Sequence, residues 1–538
     1  MGVITRFLYL GHIYLWIDET PILGKSLWSS QGGGFLGFFR GLWKLPHQVY
    51  LSQTDNGTWA ALVYIVCKLS GVVSIWRARF PSALAGVLLL PVLFILGRRI
   101  TGSSVAGVVA SCAALTSIVQ IHYSQQILPY GPSVLAGALV LWSTVLWLDK
   151  LSAKAEKEKY LPCSFLFFMS SAAAALLHNC TLPLIVACFA VLAGSVLWFR
   201  SRGDLDQGEA IRNLAALLQT AAVLILCTLV FVLPKIREGF RGYLASYYAP
   251  ANWNVARQVP GIIPAILGFA VQRSYDLATY ALDPVYNDKW YQPLGLNPIN
   301  ILPIMLAILG LGSLWVQSKM RRAFVMLGLV TAFLLFAGAM IRRYPFGGVR
   351  QCLPLTVFIY VFVGAGAWTL YRKWKLVSIG VLSFWVLVWL CNLPQFYSKR
   401  LSPFNAETLL DYAHAAKSNS FVTADQGGNP EYAILKYHLR NHPEIMVDSY
   451  TNVLGDLVEG RKAFILASTT NSVDELRSCV DCGIAGLLEL LSDKNVRITP
   501  LAEIAANRVT FADVLGRGQS IYTPLNGLFL YKIDWAGR

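Results

Sequence analysis

Apolar residues in this 538-residue chain fall into long continuous runs separated by short polar and basic breaks. A helix crossing hydrocarbon needs about 20 such residues. Runs of about that length occupy 77–98, 102–121, 131–149, 162–178, 181–199, 213–234, 296–316, 323–341, 352–371 and 376–394. Residues 1–16 hold a further, incomplete span, which brings the expected number to about 11. The pattern predicts a polytopic α-helical membrane protein.

From about residue 397 the apolar runs shorten and two periodicities alternate. Residues 405–416, 430–440, 452–459 and a stretch from 472 read as helices. SFVTA (420–424), IMVD (445–448), AFILA (463–467), 496–499 and GLFLYKI (527–533) read as strands. Strands alternating with helices of this length predict a small α/β domain. The expected division is a membrane domain over 1–396 and a soluble α/β domain over 397–538.

Orientation follows from the basic residues of short loops. Arg98-Arg99, four lysines between Lys150 and Lys159, Arg200 and Arg202, Lys319 to Arg322, and Arg372 to Lys375 alternate in phase with the spans. That side is expected to be cytoplasmic. The 17–76 loop, the 122–130 turn, the 235–295 segment and everything after 396 then face outward, which makes the C-terminal domain extracytoplasmic. Arg342, Arg343 and Arg350 break this rule. Either they hold a ligand on the outer side or they reach headgroups by snorkelling. Within the outward loops, FLGFFRGLW (35–43) and TWAALVYIVCKL (58–69) are too short to span and suit interfacial helices. The 235–295 segment carries Tyr247-Tyr248 and Lys289-Trp290-Tyr291, as interfacial belts do.

Composition agrees. The chain is 55% hydrophobic with a mean hydropathy of +0.52, and only 14% of it is charged, against about 25% in soluble domains. The net charge of +16 is scattered through loops rather than gathered in a patch, so membrane lipids are the expected counter-ions and nucleic acid is not an expected partner. Eight of the ten cysteines lie in or beside apolar runs and read as small hydrophobes. Cys479 and Cys482 form a C-x-x-C in the polar region, readable as a disulfide or as two structural thiols. No cleavable signal peptide is expected at the N-terminus.

Candidate chemistry begins at Asp18-Glu19, at the water-facing end of the first apolar stretch. Carboxylates at a membrane boundary are costly unless solvated, paired or functional. Solvation at a span end is one reading. The other is a general base, since two neighbouring carboxylates raise one of their pKa values toward the range suited to taking a proton from a hydroxyl.

The stretch Leu10-Gly11-His12-Ile13-Tyr14-Leu15-Trp16-Ile17-Asp18-Glu19 resembles the first outward loop of GT-C glycosyltransferases of the protein mannosyltransferase and aminoarabinose transferase type. Three further stretches agree with it in order and spacing. Arg79 to Gly86 (RFPSALAG) followed by Gly97-Arg98-Arg99 is similar to the family's R-L-P-S-A-L-A-G…G-R-R. His122 to Tyr130 (HYSQQILPY) resembles its Y-S-Q-E-A-R-P-Y turn, and Arg343 to Arg350 (RYPFGGVR), followed by Pro354, resembles a late outward loop. The likeness covers most of residues 8–400.

The resemblance implies an enzyme that takes a sugar from a polyprenyl-phosphate carrier on the outer side of the membrane. It implies transfer, usually with inversion, to an acceptor hydroxyl on a glycan, lipid or secreted protein. Asp18 would be the base, with Glu19 beside it. Arg342, Arg343 and Arg350, with Tyr344, would neutralise the lipid phosphate as the bond breaks. Gln125, Gln126, Tyr130, His178 and Asp55 complete the candidate substrate site. Lys44, Lys68 and Arg77 are weaker candidates that interfacial placement explains equally well. No cofactor is implied. Gln126 stands where the family has Glu and Leu128 where it has Arg, so no metal site is expected, because an amide is a poor ligand beside carboxylates. The same departures motivate an alternative, a catalytically degenerate subunit acting in lipid binding or complex assembly. A secondary transporter is disfavoured, since no internal repeat and no mid-membrane acid is visible. Asn56-Gly57-Thr58 and Asn179-Cys180-Thr181 fit the N-glycosylation pattern.

Overall fold

The computed structural model describes residues 1–11, 19, 57–70, 74–152, 161–238, 262–283, 298–340, 346–398, 406–423, 435, 439, 442–449, 463–468, 496–505 and 527–535. The chain divides into two compact units. One comprises Met1–Leu8 and Gly32–Leu393, the other Tyr9–Gln31 and Pro394–Arg538.

The first unit is helical: α1 (Gly2–Phe7), α2 (Gly57–Leu69), α3 (Ile75–Thr101), α4 (Ser104–Thr116), α5 (Ile118–Ser124), α6 (Tyr130–Ser152), α7 (Leu161–Leu177), α8 (Leu182–Ser201), α9 (Gln207–Glu238), α10 (Ile262–Leu282), α11 (Pro298–Gln317), α12 (Lys319–Met340), α13 (Leu353–Lys373) and α14 (Lys375–Ser398). Every apolar run of the sequence became a helix. Among the described residues, eight helices are long and apolar enough to cross a membrane: α3, α6, α8, α9, α11, α12, α13 and α14. The chain is a multi-pass membrane protein. α7, at 17 residues, is a shorter apolar helix, and the described part of the N-terminal stretch, residues 1–11, holds the six-residue α1.

The 102–121 run is not the straight span that its composition predicts. It is broken into α4 and α5, which meet at 66°. The cause is local. Ser117 leaves helical geometry at φ −69°, ψ 110°, and its hydroxyl accepts from the Gln120 amide to cap α5. A capping serine satisfies an orphan donor only by leaving the helix before it. The kink is then held from α13, where the Tyr360 hydroxyl donates to Ser117 Oγ at 3.1 Å and Gln120 Nε2 donates to Thr356 Oγ1 at 3.1 Å.

α6 and α13 form the core of this unit. Each has 78% of its spanning window buried, against 17% for α14, so α14 presents most of its surface to the surroundings. α11 and α13 approach more closely than side chains allow. A Cβ at Gly310 would collide with the Phe362 carbonyl, and one at Gly366 with the Leu306 carbonyl. Small residues at such a crossing let backbones touch, which is how helices gain contact where hydrocarbon removes the hydrophobic drive.

The second unit holds α15 (Ala406–Ala416) and five strands: β1 (Ser420–Thr423), β2 (Met446–Ser449), β3 (Phe464–Ser468), β4 (Val496–Ala505) and β5 (Gly527–Trp535). The order across the sheet is β2-β1-β3-β5-β4. β1 pairs in parallel with β2 and β3, and β5 runs antiparallel between β3 and β4. All four residues of β1 are buried, as expected for a parallel strand covered on both faces. The helices read at 452–459 and from 472, and Cys479-x-x-Cys482, lie outside the described residues.

Candidate functional site

The turn between α5 and α6 is buried throughout, from His122 to Tyr130. Its backbone is held from two sides. Trp59 Nε1 on α2 donates to the Ile127 carbonyl at 2.6 Å, and Ser82 Oγ on α3 donates to the Leu128 carbonyl at 3.1 Å. A carbonyl buried in an apolar unit needs a donor of this kind, since leaving it bare costs about 1–3 kcal/mol.

Two motif glutamines use this rigid turn differently. Gln125 Nε2 points to the end of α1, within 3.1, 3.4 and 3.2 Å of the carbonyls of Thr5, Arg6 and Leu8. It therefore holds the helix that leads into the first outward loop. Gly86, in the RFPSALAG stretch, completes this junction: a Cβ there would lie 2.5 Å from Ser124 Cβ and 3.1 Å from Arg6 Nε. Arg6 itself is fully buried, with Nη1 donating to Thr5 Oγ1 and Nη2 to the Ala114 carbonyl, both at 3.0 Å. Gln126 turns the other way, its Nε2 lying 2.8 Å from His122 Nε2. The contact is a hydrogen bond between the amide and the imidazole.

Tyr130 is where three turns converge. Its ring meets Tyr123 at 5.1 Å and His178 at 4.9 Å, centre to centre, and the half-buried Arg350 guanidinium lies 5.4 Å from its centre. Tyr123 is in turn hydrogen-bonded by the hydroxyl of Tyr280 on α10 at 3.0 Å. His178 is a cap as well: its Nδ1 accepts from the Cys180 amide at 3.0 Å and opens a short 3-10 turn before α8. A neutral ring with Nδ1 accepting carries its proton on Nε2. The 346–350 segment that delivers Arg350 is seated on α10. Gly348 packs against the Asp276 carbonyl and Tyr280, and Gly347, at φ 131°, against the Arg273 side chain. Arg273 pairs with Asp276 at 3.1 Å, which leaves Arg350 as the cation on the Tyr130 ring.

Sequence positions 123, 130, 178, 280 and 350 thus meet at one end of the helical unit. The basic loops meet at the other: Arg99 pairs with Asp149, and Arg321 binds both Gln317 and the Thr101 carbonyl.

No protein-family model matches the sequence, and no curated protein matches it. Solved structures do. ArnT from Cupriavidus metallidurans bound to undecaprenyl phosphate is similar over 99% of this chain and 96% of its own, at 11% identity and a TM-score of 0.37. The archaeal oligosaccharyltransferase AglB from Archaeoglobus fulgidus, in complex with an inhibitory peptide and a dolichol-phosphate, is similar over 72% of this chain at 12% identity and a TM-score of 0.41. The chain spans about half of that protein's length, 51%. The apo form of the same oligosaccharyltransferase matches 88% of this chain and 67% of its own, at 11% identity and a TM-score of 0.43.

Of the residues singled out in the sequence, Gln125, Gln126, Tyr130, His178 and Arg350 are described; Tyr130, His178 and Arg350 meet, whereas Gln125 faces the end of α1 and Gln126 faces His122. Asp18, Asp55, Arg342, Arg343, Tyr344 and Lys44 lie outside the described residues, as does the side chain of Lys68. Glu19 is described and fully buried, so exposure to water does not account for it. Arg77 donates to the Ser70 carbonyl at 2.7 Å, a structural role. Within the Asn179 glycosylation pattern, Thr181 is buried and its hydroxyl donates to the His178 carbonyl at 2.9 Å. Among the described residues there is no cluster of three or more metal-ligating side chains. Sequence reasoning passed over α10, reading its segment as an interfacial belt. Its signal was the helical spacing of Phe269, Leu277, Tyr280 and Ala281, all buried.

Proposed function

We propose that this chain is a membrane glycosyltransferase that moves a sugar from a polyprenyl-phosphate carrier to an acceptor hydroxyl. Transfer takes place at the outer face of the cytoplasmic membrane, where the α/β domain of residues 397–538 also lies. The observation that supports this best is the meeting of Tyr130, His178 and Arg350. These come from three turns far apart in sequence, and two of the three belong to stretches that resemble the GT-C family.

In this reading the acceptor oxygen attacks the anomeric carbon and the bond from that carbon to the phosphate oxygen breaks, with inversion. The electron pair leaves with the lipid phosphate, and the hydroxyl proton goes to the Asp18 carboxylate, with Glu19 adjacent. Arg350, with Arg342, Arg343 and Tyr344, receives the growing negative charge. Such donors near a desolvated leaving group are worth far more than in water. A lipid phosphate is already a good leaving group, so the reaction needs no nucleotide-binding loop. The acceptor is a glycan, a lipid or a secreted protein.

Gln126 favours a second reading. Its amide is engaged by His122 at 2.8 Å in a place where the resembled turn has a carboxylate, which fits a degenerate subunit that binds the lipid or supports a complex. The purified full-length chain incubated with polyprenyl-phosphate sugars separates the two. Release of polyprenyl phosphate with acceptor present supports the enzyme, whereas saturable lipid binding with no release supports the subunit.

A further inference from the structure

At the end of the helical unit away from Tyr130, α6, α8 and α12 enclose a cavity of about 240 Å³, with Leu148, Ser195, Trp198, Phe199, Arg322 and Met326 in its wall. Leu148 lies on the same helix as Tyr130, about 27 Å along it at 1.5 Å per residue. The two places are thus separated by nearly the whole hydrocarbon thickness of about 30 Å.

The wall is apolar and its rim is cationic. The Arg202 guanidinium stands 4.5 Å over the ring of Trp198, one of the wall residues, which brings one positive charge beside the wall. Arg322 is exposed and supplies a second. Several other charges on this side are engaged: Arg99 with Asp149, Arg321 with Gln317 and the Thr101 carbonyl, and Asp206 with the Glu209 amide that it caps. Arg322 has no ion pair among the described residues. Trp198 and Met326 are exposed beside it, so the mouth opens on the surface that hydrocarbon covers.

We propose that this cavity binds an anionic phospholipid from the leaflet at the basic end of the molecule. The phosphate sits at the Arg202–Arg322 rim, and an acyl segment lies against Trp198, Phe199 and Met326. The charges argue for this occupant. A neutral lipid would leave two cations unmatched at an apolar mouth, while a soluble anion would leave the apolar wall bare. Basic pockets between spanning helices on a cytoplasmic side suit such headgroups.

Thermal unfolding of the full-length protein in neutral detergent tests it. Phosphatidylglycerol should raise the midpoint by about 3–5 °C at saturation, the size that linkage gives for a ligand well above its Kd. Phosphatidylcholine and inorganic phosphate should each give less than half of that rise. Arg322→Gln, which removes an exposed charge, and Ser195→Phe, which fills the cavity, should each abolish it. Arg372→Gln, at the separate basic turn between α13 and α14, should leave it intact. A rise that survives either of the first two substitutions, or that phosphatidylcholine or inorganic phosphate reproduces, overturns the proposal.

Discussion

The Arg350 guanidinium lies 5.4 Å from the centre of the Tyr130 ring, joining the end of one turn to the start of the helix that follows another. The contact orients the cation at a cost that neither residue bears alone. A partly exposed cation–π pair is worth about 0.5–1 kcal/mol, enough to favour one rotamer of Arg350 without immobilising it.

Substitution of this pair should separate charge from orientation. Arg350→Gln removes the positive charge and should lower kcat/KM for transfer by about 10²-fold, the size seen when one donor to a developing anion is lost. Tyr130→Phe keeps the ring and should change little. Tyr130→Leu should fall between them, raising KM more than it lowers kcat. Steady-state kinetics on the purified protein checks the order, and an Arg350→Gln enzyme as fast as wild type contradicts the role.

At the α5–α6 turn, a carboxylate in place of Gln126 would sit within reach of His122 Nε2, where the amide now lies at 2.8 Å. The two would form an acid–base pair in place of the amide contact. Gln126→Glu should therefore raise the transfer rate on the order of tenfold at neutral pH, a modest share of what a positioned acid–base group contributes. A rate at or below wild type, in protein whose unfolding midpoint is unchanged, would show that this turn takes no part in proton transfer.

Helices in this chain were legible because hydrocarbon imposes a length and a composition on each of them. The strands were legible as short apolar runs carrying aromatic or β-branched residues, as in GLFLYKI, with Phe529, Tyr531 and Ile533, which forms β5. The break at Ser117 was not, since a serine inside an apolar run is neutral until its hydroxyl finds the Gln120 amide. α10 was hidden for a related reason. Its Gln272, Arg273 and Asp276 make the run look like a loop, yet they satisfy one another at 2.9 and 3.1 Å. The candidate site was half legible. Motif residues such as Gln125 and Gln126 stood out by type, but that one clamps α1 and the other faces His122 depends on contacts between distant segments. Tyr280 carried no sequence signal that linked it to Tyr123.

Close helix packing makes a sharp stability contrast within one element. Gly310→Leu places a side chain where the Phe362 carbonyl already lies, while a Cβ at Gly312, two residues on, has no atom within 4 Å. Gly310→Leu should destabilise the protein by about 3 kcal/mol or more, at or beyond the upper end of the usual overpacking penalty. Gly312→Ala should be neutral or slightly stabilising through helix propensity. Thermal midpoints in detergent decide it, and equal midpoints for the two variants would remove the α11–α13 contact from the account.

Proton removal by Asp18 is the central claim, and one comparison tests it most directly. Purified Asp18→Asn protein and wild type are assayed side by side for transfer from a polyprenyl-phosphate sugar, with donor binding measured on the same samples. The account predicts a loss of about 10²–10⁴-fold in transfer, the contribution of a general base, with donor binding within twofold of wild type. Transfer unchanged by the substitution would contradict it.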